Sequence, residues 1–415
     1  MGSIGETQDP PPFQPPPFEP PLAVLKTQAA TIQAAVAEYE LAKTPDDKAR
    51  AVINIAVASQ MLSTITTSPG AVVQRFAFQP VSNAAVRVAI GMGLFNQLSP
   101  SKPATTKELA AKCNSDAEFV QRIARAVASL GMLQEVSEET YAHTPISMIL
   151  SDDTAQASLA QMLDNVGVTM MNLNSYYREH GYKSPADVKN TPTVYARGLK
   201  DVGYFEWLTQ SPELYTVFNK AMAFHSLTGV NGIATAYPWD KLQPGPDGVT
   251  VVDVGGGKGH ALKEIIRHHP SISGHAVLED LENVLADGTL VSSESVKTVP
   301  YDFLGQEQPV KGAAAYMFRH CFCDWPDEEC LKILDNHIPA MQGFESRLLL
   351  SDLVLPDEGA DASKTLRDIN MMQCSGKERS EKQWHALLDK AGFRIVHIYC
   401  KDDAYNSLVE AVLKD

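Results

Sequence analysis

The apolar positions of this chain repeat with two periods, and the change of period divides it. Alanine-rich, helically spaced residues from 23 to 68 predict two helices, closed by Pro69-Gly70. Residues 71–98 predict a third. A helix opens at Thr105-Thr106 and runs to Lys112, another runs from Asp116 to Leu130 and stops at Gly131, and residues 132–136 and 140–144 read as two short strands. Helices followed by a hairpin give residues 23–150 a winged-helix shape. Residues 151–245 stay largely helical, carry Tyr176, Tyr177, Tyr195, Tyr204 and Trp207, and are expected to wall a pocket. The turn cluster Pro244–Gly248 closes them. From residue 246 onward, strands at 249–254, 275–279, 296–299, 313–318, 346–353 and 394–399 alternate with helices around 260–268, 282–286, 327–341 and 380–391. That alternation predicts an α/β fold with a doubly wound, Rossmann-like sheet, which binds ligands at the carboxyl ends of its strands. At the other end of the chain, eight prolines in residues 10–21 make residues 1–22 an extended arm.

The densest chemistry lies at the end of the first of those strands, in Val-Val-Asp-Val-Gly-Gly-Gly-Lys-Gly-His at residues 251–260. Glycines such as Gly255 and Gly257 let the backbone approach a ligand closely. No Gly-Lys-Ser/Thr follows, which argues against a phosphate-gripping loop. With Asp253 in the strand end, the stretch suits a cofactor that has a ribose and an amino-acid tail, as S-adenosylmethionine has. An acid after the second strand, Glu279 or Asp280, lies 22 to 25 residues beyond the glycines and suits ribose hydroxyls. Asp302-Phe303, after the third strand, suits the framing of an adenine ring.

Composition narrows the partners. A net charge of −15 argues against nucleic acid, so the winged-helix shape is expected to dimerise or enclose substrate instead. Six cysteines in 415 residues are too few for a disulfide framework and suggest a reduced, cytoplasmic setting. Cys321, Cys323 and Cys330 cluster but lack the usual zinc spacing, so no metal is expected. No apolar run has membrane-spanning length.

Taken together, Val-Asp-Val-Gly-Gly-Gly-Lys-Gly-His, Asp280-Leu281, Tyr301-Asp302-Phe303, Asp324-Trp325-Pro326-Asp327-Glu328 and Gly376-Lys377-Glu378-Arg379-Ser380-Glu381 carry a resemblance. Over roughly residues 45–415 the chain resembles the plant and fungal caffeate-type O-methyltransferases, S-adenosylmethionine-dependent enzymes with a dimerising winged-helix domain. The resemblance implies a homodimer, with cofactor contacts from Asp253, Gly255, Gly257, Asp280, Leu281, Asp302, Phe303 and Arg319. It also implies a small aromatic or polyketide-derived substrate sandwiched by Met371 and Met372, with Phe224 and His225 nearby.

One position departs from the family pattern. The family's base is a histidine directly before Asp-Trp, and here that position is Cys323, before Asp324. His320, three residues earlier at a strand end, is expected to point to the opposite face. The family's flanking carboxylates map to Asp352 and Glu378. A thiol with a reference pKa of about 8.5, raised further by nearby carboxylates, accepts protons poorly. The chain also looks like fungal members of this fold that act as pericyclases. In that reading the cofactor remains as a fixed positive charge that promotes an Alder-ene or hetero-Diels–Alder closure. Asp352, Glu378 or His225 would then handle the protons of a preceding dehydration. The alternative is methyl transfer to an aromatic or enolic hydroxyl. A non-catalytic scaffold would leave the cofactor motifs unexplained.

Overall fold

The computed structural model describes residues 18–226, 230–286, 296–400 and 407–414. Residues 1–17 of the expected proline-rich arm lie outside the described residues. The chain forms two compact units, residues 1–85 and 86–415.

In the first unit, helices Leu22–Leu41 and Pro45–Thr66 pack on small residues, with Ala35, Ala51 and Ala58 no more than 3% exposed. Thr44 starts the second helix, its hydroxyl accepting from the Asp47 N–H at 3.1 Å. A third helix, Pro69–Gly91, follows, and Phe76, Phe78 and Val81 on it remain exposed.

The second unit opens with the winged-helix elements. Thr105 and Glu108 form a capping box for helix Thr106–Lys112, and helix Ala117–Ser129 follows. Strands β1 (Ala104–Thr105), β2 (Leu133–Ser137) and β3 (Thr140–His143) pair antiparallel in the order β1-β3-β2. Leu109, Val120, Ala124, Val127 and Tyr141 form their core. Helical elements Asp153–Ala160, Gln161–Val166 (a π-helical turn), Gly167–His180, Pro192–Ala196, Tyr204–Thr209 and Pro212–Ser226 come next.

The main sheet contains β4 (Val251–Val254), β5 (Ala276–Asp280), β6 (Val296–Pro300), β7 (Ala315–Arg319) and β8 (Arg347–Ser351). A short parallel pair, β9 (Val354–Leu355) with β10 (Arg379–Ser380), stands beside it, and β11 (Phe393–Tyr399) and β12 (Leu408–Leu413) complete the sheet. The order is β11-β12-β8-β7-β4-β5-β6. The five strands from β4 to β8 run parallel, whereas β12 is antiparallel to both β8 and β11. The central strands are apolar on both faces because both are covered. Val252, Val254, Tyr316, Phe318, Leu348 and Leu350 pack into one layer, and Val251, Leu278, Ala315, Met317 and Leu349 into the other. Each valine, leucine, methionine or phenylalanine among them contributes roughly 1.5–3 kcal/mol on burial.

Several elements differ from expectation, β12 and one helix above all. The sheet is mixed because β12, absent from the expected strands, runs antiparallel to β8 and β11. Its apolar run is interrupted by Glu410, a buried acid tolerated because Tyr237 and Tyr399 direct hydroxyls at it. Helix Ala362–Met371 was also missed; its residues are largely polar, and it is started by the Asp361 carboxylate. No described helix is long and apolar enough to cross a membrane.

Candidate functional site

The carboxyl ends of β4 to β8 bring the candidate residues together in two adjoining groups. The first surrounds the glycine turn after β4. Gly255 has φ +66°, a conformation that disfavours a side chain, and a Cβ there would stand 3.0 Å from Cys321 Sγ and 3.3 Å from the Phe303 ring. The Gly257 N–H donates to one oxygen of Asp280 at 2.8 Å, while the Leu281 N–H donates to the other at 2.8 Å. These bonds fix the Asp280 carboxylate at the mouth of the turn, and each oxygen keeps a lone pair for a ligand hydroxyl. Phe303 sits over the turn, edge-on to Phe318. Beside it, Asp302 is exposed and accepts from the Leu304 N–H at 3.1 Å. The cradle is narrow, backbone-lined and edged by an oriented acid and an aromatic ring, which fits the expected adenosyl cofactor.

Asp253 lies deeper than anticipated. It is fully buried, and neither oxygen has a hydrogen-bond partner among the described residues. Burial pushes its pKa up to about 7, against the pull of Arg319. Arg319, at the end of β7, lies within the electrostatic reach of Asp253 on one side and Asp352 on the other. Burial lowers its own pKa to about 10.

The second group follows β7 and β8. Cys323 is buried, and burial followed by Asp352, Asp324 and Glu378 holds its thiol well above the usual range. Burial raises Asp324 to about 8 and Asp352 to about 7, and Glu378 is also pushed well up, by burial and then by Asp352. The segment bearing Glu378 is pinned to Cys323: the Lys377 N–H donates to the Cys323 carbonyl at 2.9 Å, and a Cβ on Gly376 would lie 2.1 Å from that oxygen. Arg379 clamps the same loop from below. Its guanidinium donates to the carbonyls of Phe322 (2.8 Å) and Trp325 (2.9 Å) and to Asp327, and it lies over Trp384.

The expectation for His320 is overturned. Strand alternation stops at Arg319, and His320 takes a left-handed backbone with φ +54°. Its N–H donates to the Ser351 carbonyl at 3.0 Å. The turn swings the imidazole toward Cys323 rather than away from it. His320 Nδ1 stands 3.8 Å from Asp352 Oδ1, and ligand atoms of His320, Cys323 and Asp352 all lie within 4.8 Å of one another. The ring is half-buried, and its close protein surroundings, then Arg319, Arg367 and His225, hold it below its ordinary pKa, so it is neutral at physiological pH.

His225 and Phe224 are half-buried at the end of helix Pro212–Ser226, with ring centres 6.1 Å apart. His225 Nε2 is 3.1 Å from Ser158 Oγ, and burial followed by Arg367 and Arg319 lowers its pKa. Met371 and Met372 are half-buried, and their carbonyls accept from Gly376 and Ser375 in the turn leading to Glu378. Sequence reasoning missed Cys321, Ser158 and Arg367 at this site, and it rejected His320. Only the polar pair Arg319-His320 ending an apolar strand hinted at a change of direction there.

A family model for the O-methyltransferase domain matches residues 186–394, and one for the O-methyltransferase dimerisation domain matches residues 74–153. The O-methyltransferase asqD of Emericella nidulans is 32% identical over 346 residues, covering 80% of this chain and 87% of that protein. The crystal structure of OxaC in complex with SAH and oxaline is 28% identical with a TM-score of 0.82, covering 94% of this chain and 99% of that one. A solved pericyclic reaction enzyme is 27% identical with a TM-score of 0.78, covering 94% and 100%.

Proposed function

We propose, from the premise that this chain belongs to the O-methyltransferase family, that it methylates an aromatic or enolic hydroxyl of a small molecule and uses His320 to take the proton. S-adenosylmethionine is its cofactor. When bound, it supplies an electrophilic methyl group on a sulfonium. Gly255 and Gly257 would line its seat, Asp280 and Leu281 would hold the ribose, Asp302 and Phe303 would frame the adenine, and Arg319 would set the charge of the seat with Asp253 beneath. Met371, Met372 and Phe224 would hold the acceptor ring, with His225 beside it.

One observation carries this reading: a neutral imidazole lies 3.8 Å from a buried carboxylate. Such a ring accepts a proton from a hydroxyl, and Asp352, raised to about 7 and so still partly ionised at neutral pH, faces the imidazolium and stabilises it in its ionised form. Asp324 and Glu378, whose pKa values are raised, hold their protons at neutral pH and do not compete as bases. Cys323 does not compete either, because its thiol stays protonated.

The domains follow the same reading. Residues 23–150 dimerise, supported by the match to the dimerisation model and by exposed residues such as Phe76, which is 73% exposed. Residues 151–245 wall the substrate pocket, and residues 246–415 bind the cofactor. A cytoplasmic setting agrees with six free cysteines.

A second reading, pericyclic cyclisation of a polyketide-derived substrate, draws on Cys323 in the family's base position and on the likeness to a pericyclic reaction enzyme. There the cofactor is retained unchanged. Incubation with S-adenosylmethionine and either hydroxylated aromatics or a dehydratable pyridone alcohol separates the two. Methyl ether with stoichiometric S-adenosylhomocysteine supports methyl transfer. A cyclised isomer formed with the cofactor intact overturns it.

A further inference from the structure

We propose that His320, Cys323 and Asp352 form a site for a thiophilic divalent cation, zinc above all, and that filling it blocks proton removal by His320. Their ligand atoms lie within 4.8 Å of one another. A tetrahedral zinc with bonds of about 2.0–2.3 Å needs neighbouring ligands roughly 3.3–3.8 Å apart, and His320 Nδ1 and Asp352 Oδ1 are already 3.8 Å apart. The Cys323 sulfur lies within 4.8 Å of both, so it must shift by no more than about 1.5 Å to join the same shell.

The surroundings suit an ion that enters from the exposed side of His320. Asp352 and Cys323 are buried, whereas the His320 side chain is 33% exposed, so the cluster is closed behind and open in front. Asp352 Oδ1 has no hydrogen-bond partner among the described residues and is directed at this cluster. The ligands are also held from behind. The His320 N–H is bound to Ser351, and the Cys323 carbonyl is bound to Lys377. One nitrogen, one sulfur and one carboxylate oxygen suit zinc and disfavour magnesium and calcium, which take oxygen ligands. Three protein ligands leave a fourth position for water. On binding, the Cys323 S–H bond breaks, its proton leaves to solvent, and a sulfur–metal bond forms with no change of oxidation state.

Metal binding does not depend on His320 being the base; only the silencing does. The test uses the full chain freed of metal with a chelator and titrated with Co2+. We expect one Co2+ per chain, a thiolate-to-cobalt absorption band in the near ultraviolet, release of a proton, and displacement by Zn2+. Cys323→Ser should abolish the band, and Asp352→Asn should weaken binding at least about tenfold while keeping the band. Cys113→Ser and Cys400→Ser, at the two less buried cysteines, should change neither, and melting temperatures would show that the variants fold. Absence of the band in the unmodified chain, or its survival in folded Cys323→Ser, would overturn the site. Methylation left intact by saturating Zn2+ would overturn the silencing alone.

Discussion

The glycine turn and the cluster around Cys323 lie at neighbouring strand ends, yet they are built differently. The turn is made of backbone and one oriented acid, and its function needs a conformation that glycine alone takes easily. The cluster is made of side chains whose protonation is set by burial and by one another, and its key ring is delivered by a non-glycine residue at positive φ. A backbone-built seat tolerates little change. A side-chain cluster can move its working group from one position to another while keeping the supporting carboxylates, and the function proposed above has the imidazole at position 320 serve in place of one at position 323.

The largest effect should come from removing that imidazole. His320→Ala is expected to lower kcat by about 100- to 10,000-fold, the usual contribution of a positioned base, with cofactor affinity unchanged by calorimetry. Gly255→Ala should do the reverse. Strain at φ +66° and contact with Cys321 and Phe303 cost about 1–3 kcal/mol, or roughly a 5- to 150-fold loss in cofactor affinity, with kcat at saturation much less affected. Cys323→His sharpens the comparison. If His320 already serves as base, kcat should change by less than about tenfold; a gain of about 100-fold or more would show that the base had been missing.

A separate effect, on stability rather than on turnover, concerns pH. Asp253 and Glu279 both have folded-state pKa values raised by burial to about 7, above their unfolded values. The folded state therefore holds more protons between about pH 4 and pH 7. The contribution of these two groups to the stability of the cofactor-free protein should be greatest below this window, fall as pH rises through it, and level off above about 7. The loss should be roughly 3–4 kcal/mol per group. Asp253→Asn should flatten the slope in denaturant melts at several pH values.

Most of the seat was legible in the sequence because it depends on glycines and on an acid at fixed spacing. Gly255, Gly257, Asp280 and Phe303 meet there through short-range geometry that follows from strand, turn and helix. The place of His320 was not legible. Period-2 alternation assigns His320 to the far face, and the rule fails where the strand ends at Arg319 and the backbone turns left-handed. Asp253 was legible as a strand-end acid, but not as one sealed from the pocket. In β12 a buried glutamate disguises a core strand, because its tyrosine partners come from distant parts of the chain.

The most direct test of the methyl-transfer reading is to account for the cofactor during turnover. With methyl-labelled S-adenosylmethionine and a hydroxylated aromatic or pyridone acceptor, wild type should give one S-adenosylhomocysteine per labelled methyl ether, and His320→Ala should lose both together. Product formed as an unlabelled isomer with the cofactor intact, or full labelling by His320→Ala, would contradict it.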